Sequence, residues 1–378
     1  MVLGRIDLIR ALGLAGIDSV VVASPDDPAR YSRHVRATIE AEGPERLEAL
    51  LGYARSSSDR TPLFYDSDAT LLFISRERER LGEGYRFVIP PTSMVDDLLD
   101  KAKFQELADR LDLPVPRGHR IDLSRNSGGV DLDFPIVLKA VPYRDRRWDR
   151  VGFSSKVVRV DNQEELDGLW QRLAAADLDI VAQELVPGSE AHLESYHVYV
   201  DESGEIAAEF TGRKIRTWPR DFGLTTSLTT TDDPEVAALG REVIERLGFR
   251  GVAKLDLKRA PDGRLYLLEV NPRFTLWAHV GAAAGVNIPA VVHADLTGRP
   301  RPQASRARPG VTWVWPRPDA AAARAEGVPR SKWLVWALRS KTNAAWAWDD
   351  PAPYLRGRLG RRLMRRDRSA SREAAPHG

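Results

Sequence analysis

Two acidic side chains lie where a β-hairpin would bring them together. The run Lys254-Leu-Asp-Leu-Lys-Arg-Ala-Pro-Asp-Gly-Arg-Leu-Tyr-Leu-Leu-Glu-Val-Asn-Pro-Arg273 carries Asp256 and Glu269 on either side of Asp262-Gly263. Asp-Gly favours a two-residue turn, and that turn pairs Asp256 directly with Glu269. A bulged three-residue turn around Pro261 would slip the register by one. Period-two alternation carries Asn271 and Arg273 to the face of Glu269. Like charges directly across a ladder repel at a Cβ separation of about 5 Å, so the pair calls for a cation. Two carboxylates and an amide carbonyl, without Cys or His, are hard oxygen donors suited to Mg²⁺ or Mn²⁺. Mg²⁺ held by so few protein ligands completes its octahedron with water and substrate phosphates, which points to a nucleotide. The competing reading is an exposed hairpin whose acids pair with Lys254, Lys258 or Arg273.

Other segments supply groups for phosphate. Lys139 closes the apolar run Phe134-Pro-Ile-Val-Leu-Lys139, and Lys101 opens an amphipathic helix at Asp100-Lys-Ala-Lys-Phe-Gln-Glu-Leu-Ala-Asp-Arg-Leu. That helix stops before Leu113-Pro-Val-Pro116, where proline forbids continuation. A charge at the end of a buried strand is rarely left unpaired, and a phosphate would pair Lys139. The stretch Ile180-Val-Ala-Gln-Glu-Leu-Val-Pro-Gly-Ser-Glu190 reads as a strand broken at Pro187-Gly188, whose freed backbone groups can hydrogen-bond an adenine edge.

Taken in order, these segments resemble the ATP-grasp superfamily from about residue 90 to residue 300: Asp-Lys before a helix, a Leu-Pro-Val-Pro exit, a strand lysine, Gln-Glu-Leu-Val-Pro-Gly-x-Glu, then Asp256 and Leu-Leu-Glu-Val-Asn-Pro-Arg-Phe. The nearest likeness is to the predicted carboxylate-amine ligase branch, which includes D-aspartate ligase-like proteins. The resemblance implies that Lys101 and Lys139 contact ATP phosphates. It also implies that Gln183, beside Glu184, and the backbone of Val186 read adenine, and that Glu190 takes the ribose hydroxyls. Asp256, Glu269 and Asn271 would hold Mg²⁺ (or Mn²⁺). Arg273, Lys214 and Arg216 would serve the acyl phosphate, the γ-phosphate and the substrate. For Lys214 and Arg216 the bland alternative is a solvated strand end.

The implied fold is α/β (α+β): an N-terminal parallel α/β unit over residues 1–95, the ATP-grasp unit over 96–300, a Trp-rich helical extension over 301–351 and an Arg-rich tail over 352–378. The implied reaction is ATP-dependent joining of a small-molecule carboxylate to an amine through an acyl phosphate, giving ADP, phosphate and an amide. Metal ions with Lys and Arg would do the work by positioning and electrostatics. The chain has no Cys, which excludes a thioester on the protein. Rival readings are a catalytically silent ATP-binding sensor, an ATP-grasp enzyme of another type such as a carboxylase or kinase, and an adaptor for anionic surfaces.

Two features depart from the family pattern. The phosphate-covering loop is usually glycine-rich, because backbone must approach phosphate closely, yet residues 142–153 hold one glycine and four arginines. The chain also opens on a first strand cut to a few residues, with a start read as late or a sheet edge read as shortened. A helix over 6–15 and a strand over Ser19–Ala23 still argue for a small parallel unit.

The net charge of +2 conceals an asymmetry: eight arginines against Asp367 and Glu373 follow Ala352, leaving the rest of the chain at −4. Nucleic-acid binding by the body is therefore not expected. Leu355, Leu359 and Leu363 recur every four residues among those arginines, forming a basic amphipathic helix that fits either its own domain or peripheral contact with an anionic membrane. No run of 18 apolar residues occurs and early charges break any signal-peptide core, so cytoplasm is the default compartment. A homodimer is the base expectation. Six of the ten tryptophans crowd residues 313–348, and Trp333, Leu334 and Trp336 at helical spacing are expected to bury an apolar face.

Overall fold

The computed structural model describes residues 1–123, 130–141, 147–148, 151–153, 157–303 and 305–357. The first ninety residues supply β1 (Val2–Leu3), β2 (Ser19–Ala23), β3 (Val35–Glu40), β4 (Thr61–Pro62), β5 (Phe64–Tyr65) and β6 (Tyr85–Arg86). Four of them form a parallel sheet in the order β3-β2-β1-β5, while β4 and β6 pair separately. The helix Ile6–Leu14 crosses from β1 to β2 and buries Leu8, Ile9 and Leu12 on one face, the spacing a core-facing helix requires. The two-residue β1 is not a sheet edge; it lies between β2 and β5. Chain order reverses there, which is where open parallel sheets receive ligands.

A second sheet follows, with β7 (Gly118–Ile121), β8 (Ile136–Val141), β9 (Val157–Val160) and β10 (Asp179–Glu184) antiparallel in the order β7-β10-β8-β9. Helix Gln163–Ala175, capped by the Asn162 side chain, buries Leu166, Trp170 and Leu173 against it. β8 begins after Pro135 and runs on to Val141, so Lys139 sits inside the strand opposite Val181 rather than at its end. The extra length places Lys139 on a face shared with Gln183 of β10.

The largest sheet holds β11 (Leu193–Val200), β12 (Ile206–Trp218), β13 (Leu224–Thr231), β14 (Gly251–Arg259), β15 (Leu265–Asn271), β16 (Thr312–Val314) and β17 (Thr342–Asn343). Its order is β15-β14-β11-β12-β13-β16-β17, antiparallel except for β16 with β17. Alternation sorts its two faces. Tyr196, Val198, Leu255 and Leu257 meet helix Pro234–Leu247 on one side. Tyr199 and Phe210 meet helices Trp277–Ala284 and Ile288–Thr297 on the other, in a core that also takes Leu8 and Ile9. Gly212 is required there, since a Cβ would come within 2.2 Å of the Trp277 ring.

Helices Pro316–Ala325 and Arg330–Arg339 lie between β16 and β17 in the chain. The expected burial of an apolar face by Trp333, Leu334 and Trp336 is met only in part: Trp333 and Trp336 are half-buried, Leu334 is 49% exposed, and no residue of Arg330–Arg339 is fully buried. Helical spacing marks which residues share a face, not whether a partner surface lies opposite it. The extension instead reaches back by polar contacts. Arg10 donates through Nε to Asp350 Oδ2 at 3.1 Å, and Ser32 Oγ donates to the same oxygen at 2.8 Å. The tail from residue 358 and most of the 142–153 loop lie outside the described residues. No described helix is long and apolar enough to cross a membrane.

Candidate active site

β14 and β15 do place Asp256 opposite Glu269, by a different route from the two-residue turn. Ala260 N donates to Arg264 O and Gly263 N to Ala260 O, both at 2.9 Å, which closes a three-residue loop over Pro261, Asp262 and Gly263. Gly263 takes φ +89°, the left-handed region that such a loop needs at this position. The register therefore slips by one, with Leu257 opposite Leu267. A bulge at Leu268 then inserts one residue and restores the Asp256–Glu269 pair.

Both readings of the hairpin meet in this pair. Lys254 Nζ lies 2.6 Å from Asp256 Oδ2, and Lys214 Nζ lies 3.7 Å from Oδ1. Asn271 Nδ2 donates to Asp256 Oδ2 at 3.3 Å and to Glu269 Oε1 at 2.8 Å. Burial pushes the Asp256 carboxyl up, but Lys254 and Lys214 outweigh it and hold the group well below the usual carboxylate range. Burial draws the Lys254 ammonium down, against the pull of Asp256. Asp256 Oδ1 is buried and accepts no hydrogen bond, so one lone-pair site of a charged oxygen is left open.

That open oxygen, together with exposed Glu269 and the Asn271 amide, fits a hard divalent cation. The Asn271 amide presents N–H to both acids here and must rotate to offer its oxygen. Among the described residues no group of three or more His, Cys, Asp or Glu converges, so any cation would rely on the two carboxylates and the amide.

Across from this pair stand the lysines of the phosphate reading. Lys139 is pushed down to about 8 by burial and by the neighbouring Lys101, while Glu269 pulls it upward. The second sheet and the hairpin thus face one another closely enough for their charges to interact. Asp100 caps helix Lys101–Arg110 by accepting from Ala102 N and Lys103 N, at 2.9 and 3.1 Å. Lys101 Nζ reaches Ala140 O at 3.5 Å.

Gln183 lies against Lys139. Its Oε1 accepts from Lys139 Nζ at 2.6 Å and its Nε2 donates to Gln105 Oε1 at 3.0 Å, in a buried setting. The side chain orients Lys139. Glu184 Oε1 accepts from Asp133 N at 3.1 Å and lies 3.4 Å from Arg117. Val186 is buried just past the end of β10. Glu190 opens a 3₁₀ turn and is raised by burial, with Lys214 and Lys258 opposing, which puts it in the same electrostatic cluster as Asp256.

Arg273 joins the hairpin to the N-terminal unit, donating through Nη2 to Asn271 Oδ1 at 3.0 Å and through Nε to Asp68. Arg216 is committed elsewhere. Its guanidinium is bidentate to Asp319, at 2.9 and 2.8 Å. Sequence reading passed over Lys254 and Lys258 as mere competitors, although period two sets them on the face of Asp256. It also missed Gln105 and Asp68, for which no local pattern gives a signal.

The family model for "ATP-grasp in the biosynthetic pathway with Ter operon" matches residues 193–316, the span of the largest sheet from β11 through β16. The ADP complex of N5-carboxyaminoimidazole ribonucleotide synthetase superposes with a TM-score of 0.61 at 15% identity, over 82% of this chain and 78% of that one. The chain has the ATP-grasp fold. L-amino acid ligase from Bacillus licheniformis shares this ATP-grasp architecture with a TM-score of 0.58 at 16% identity, over 78% of this chain and 72% of that one. By sequence, D-aspartate ligase of Enterococcus faecium (strain Aus0004) is 23% identical over 265 residues, 65% of this chain. The match spans 62% of that relative, less than two thirds of its length.

Proposed function

We propose that this ATP-grasp protein is an ATP-dependent carboxylate-amine ligase that forms an amide through an acyl phosphate. The observation that carries the reading is the opposition of two charged sets. Asp256, Glu269, Asn271, Lys254 and Lys214 lie on the large sheet, Lys139 and Lys101 lie on or beside the small one, and Glu269 acts on Lys139 between them. Similarity to proteins named D-aspartate ligase, D-alanine–D-alanine ligase and L-amino acid ligase supports the reaction class.

In this reading ATP lies between the two sheets. Lys101 and Lys139 meet the phosphates, the backbone at Val186 meets adenine, and Glu190 meets the ribose. Asp256, Glu269 and Asn271 would hold Mg²⁺ or Mn²⁺, which when bound offsets charge on the transferring phosphoryl group. The γ-phosphoryl group moves to a carboxylate oxygen of the substrate as its bond to the ADP oxygen breaks. Lys214, Lys254 and Arg273 stabilise the charge that develops. The amine nitrogen then attacks the acyl carbon, phosphate leaves with the C–O electron pair, and the nitrogen gives up a proton. The 1–95 unit, tied to the hairpin through Asp68 and Arg273, would close the substrate side.

The test is phosphate release from ATP and Mg²⁺ across paired amino acids, amino sugars and cell-wall precursors, with Asp256→Asn as the control. Release that needs a carboxylate and an amine together and disappears in the variant supports the ligase. Release with bicarbonate alone, or none with any pair while ATP binds, overturns it.

A further inference from the structure

Lys214 lies beside a break in its own strand. On β12 it pairs with Leu228 of β13, yet Arg216 pairs with Ser227, so Ile215 is an extra residue. A second shift between Arg216 and Thr217 returns the ladder to step. Bulges interrupt hydrogen bonding, raise local twist and re-aim the side chains next to them. A lysine flanking such a bulge depends on whatever holds the far side still.

The C-terminal extension holds it. Asp319, fully buried at the start of helix Pro316–Ala325, receives both arms of the Arg216 fork. Thr226 Oγ1 donates to Asp319 Oδ1 at 2.9 Å and Trp333 Nε1 donates to Oδ2 at 2.8 Å. The Trp336 ring covers the guanidinium from 4.5 Å. Thr226 Oγ1 also lies 3.1 Å from Arg216 O, a second acceptor for its single hydroxyl proton, which sets the two bulged strands side by side. Every hydrogen-bonding direction of the carboxylate is filled, and a planar fork on a buried acid fixes orientation as well as distance.

We propose that the 316–339 extension is a brace for the active site: Asp319, Trp333 and Trp336 lock Arg216, and the locked bulge sets the aim of Lys214 toward Asp256. Arg216 is then a positioning residue and not a catalytic one. The inference rests on the ligase reading for the role of Lys214, but its test separates the two.

The experiment is lysine acylation followed by peptide mass spectrometry, with and without a non-hydrolysable ATP analogue and Mg²⁺, on the full chain and on Asp319→Asn, Arg216→Lys and Trp336→Ala. Arg216→Lys keeps the charge and loses the fork, so it remains informative if Asp319→Asn does not fold. In the unmodified protein the analogue protects both Lys139 and Lys214. Small displacements in an aligned site carry large losses, so the variants should lose Lys214 protection by roughly tenfold while Lys139 protection stays. Variants that keep Lys214 protection overturn the brace and leave a merely structural ion pair. An unmodified protein in which the analogue protects neither lysine overturns the ligase reading itself.

Discussion

Asp256 and Asp319 are both buried carboxylates facing cations on β12, and they are finished differently. Asp319 accepts from Arg216 twice, from Thr226 and from Trp333, so neither oxygen is left over. Asp256 has its contacts on Oδ2, while Oδ1 is buried without a hydrogen bond and meets Lys214 only at 3.7 Å. An unmade hydrogen bond on a buried charge is costly, and a protein retains it where something else completes the shell. A complete shell marks a joint; an incomplete one marks a seat. Asp256 lies on β14 and Asp319 on helix Pro316–Ala325, yet both meet β12, and the open Oδ1 of Asp256 sets them apart.

Breaking the joint should produce the larger change in stability. Asp319→Ala leaves the Arg216 guanidinium buried without its partner, and loss of one member of a buried pair costs about 3–5 kcal/mol. A urea titration should show the fall in midpoint; a change below about 1 kcal/mol would remove the distinction drawn here. Breaking the seat should do the reverse. Glu269 is exposed, so Glu269→Gln should alter stability by no more than about 0.5 kcal/mol. The same change should lower ATP turnover on the order of 100-fold, as removal of a charge-stabilising group does. An active Glu269→Gln protein would end the metal assignment.

Lys254 sharpens the contrast from the cationic side. Its ammonium lies against Asp256 Oδ2, the acid a divalent cation would need. Lys254→Met should raise Mn²⁺ affinity in the presence of nucleotide, read by electron paramagnetic resonance, by about tenfold for roughly 1.4 kcal/mol of competition removed. Weaker Mn²⁺ binding would show instead that Lys254 orients the carboxylate for the metal.

The legible parts of this protein were local. The helix opened by Lys101, the helix after β1 and the strand Ser19–Ala23 all follow from residue type and period. The Asp256–Glu269 pairing was reached by the wrong turn. A slip at Pro261 and a bulge at Leu268 cancel, and nothing in a single strand announces the second when the first is assumed. The Arg216–Asp319 pair is not legible, because the partner lies 103 residues away on a helix that periodicity cannot dock. The contacts of Gln183 are hidden for the same reason, since its neighbours Lys139 and Gln105 come from two other elements. Period encodes which face a side chain takes; it does not encode which charge will be found opposite.

Lys139 gives the smallest effect and bears on the same contrast, since it belongs to the seat and its hydrogen-bond partner there is the neutral Gln183 amide. Its value in the folded chain is about 8, below the ordinary lysine value of 10.5. The folded protein therefore gives up this proton before the unfolded chain does. By linkage, Lys139 lowers stability while it is charged in both states, and stability recovers as pH rises from about 8 toward 10.5. Phosphate binding runs the opposite way, because it favours the ammonium. Nucleotide affinity should weaken above pH 8, by up to about tenfold per pH unit while the free protein is deprotonated and the complex is not. Titration calorimetry with ADP and Mg²⁺ at pH 7, 8 and 9 would show this slope, and Lys139→Met should flatten it. A flat profile in the unmodified protein would place the phosphates away from Lys139, leaving the seat with the hairpin alone.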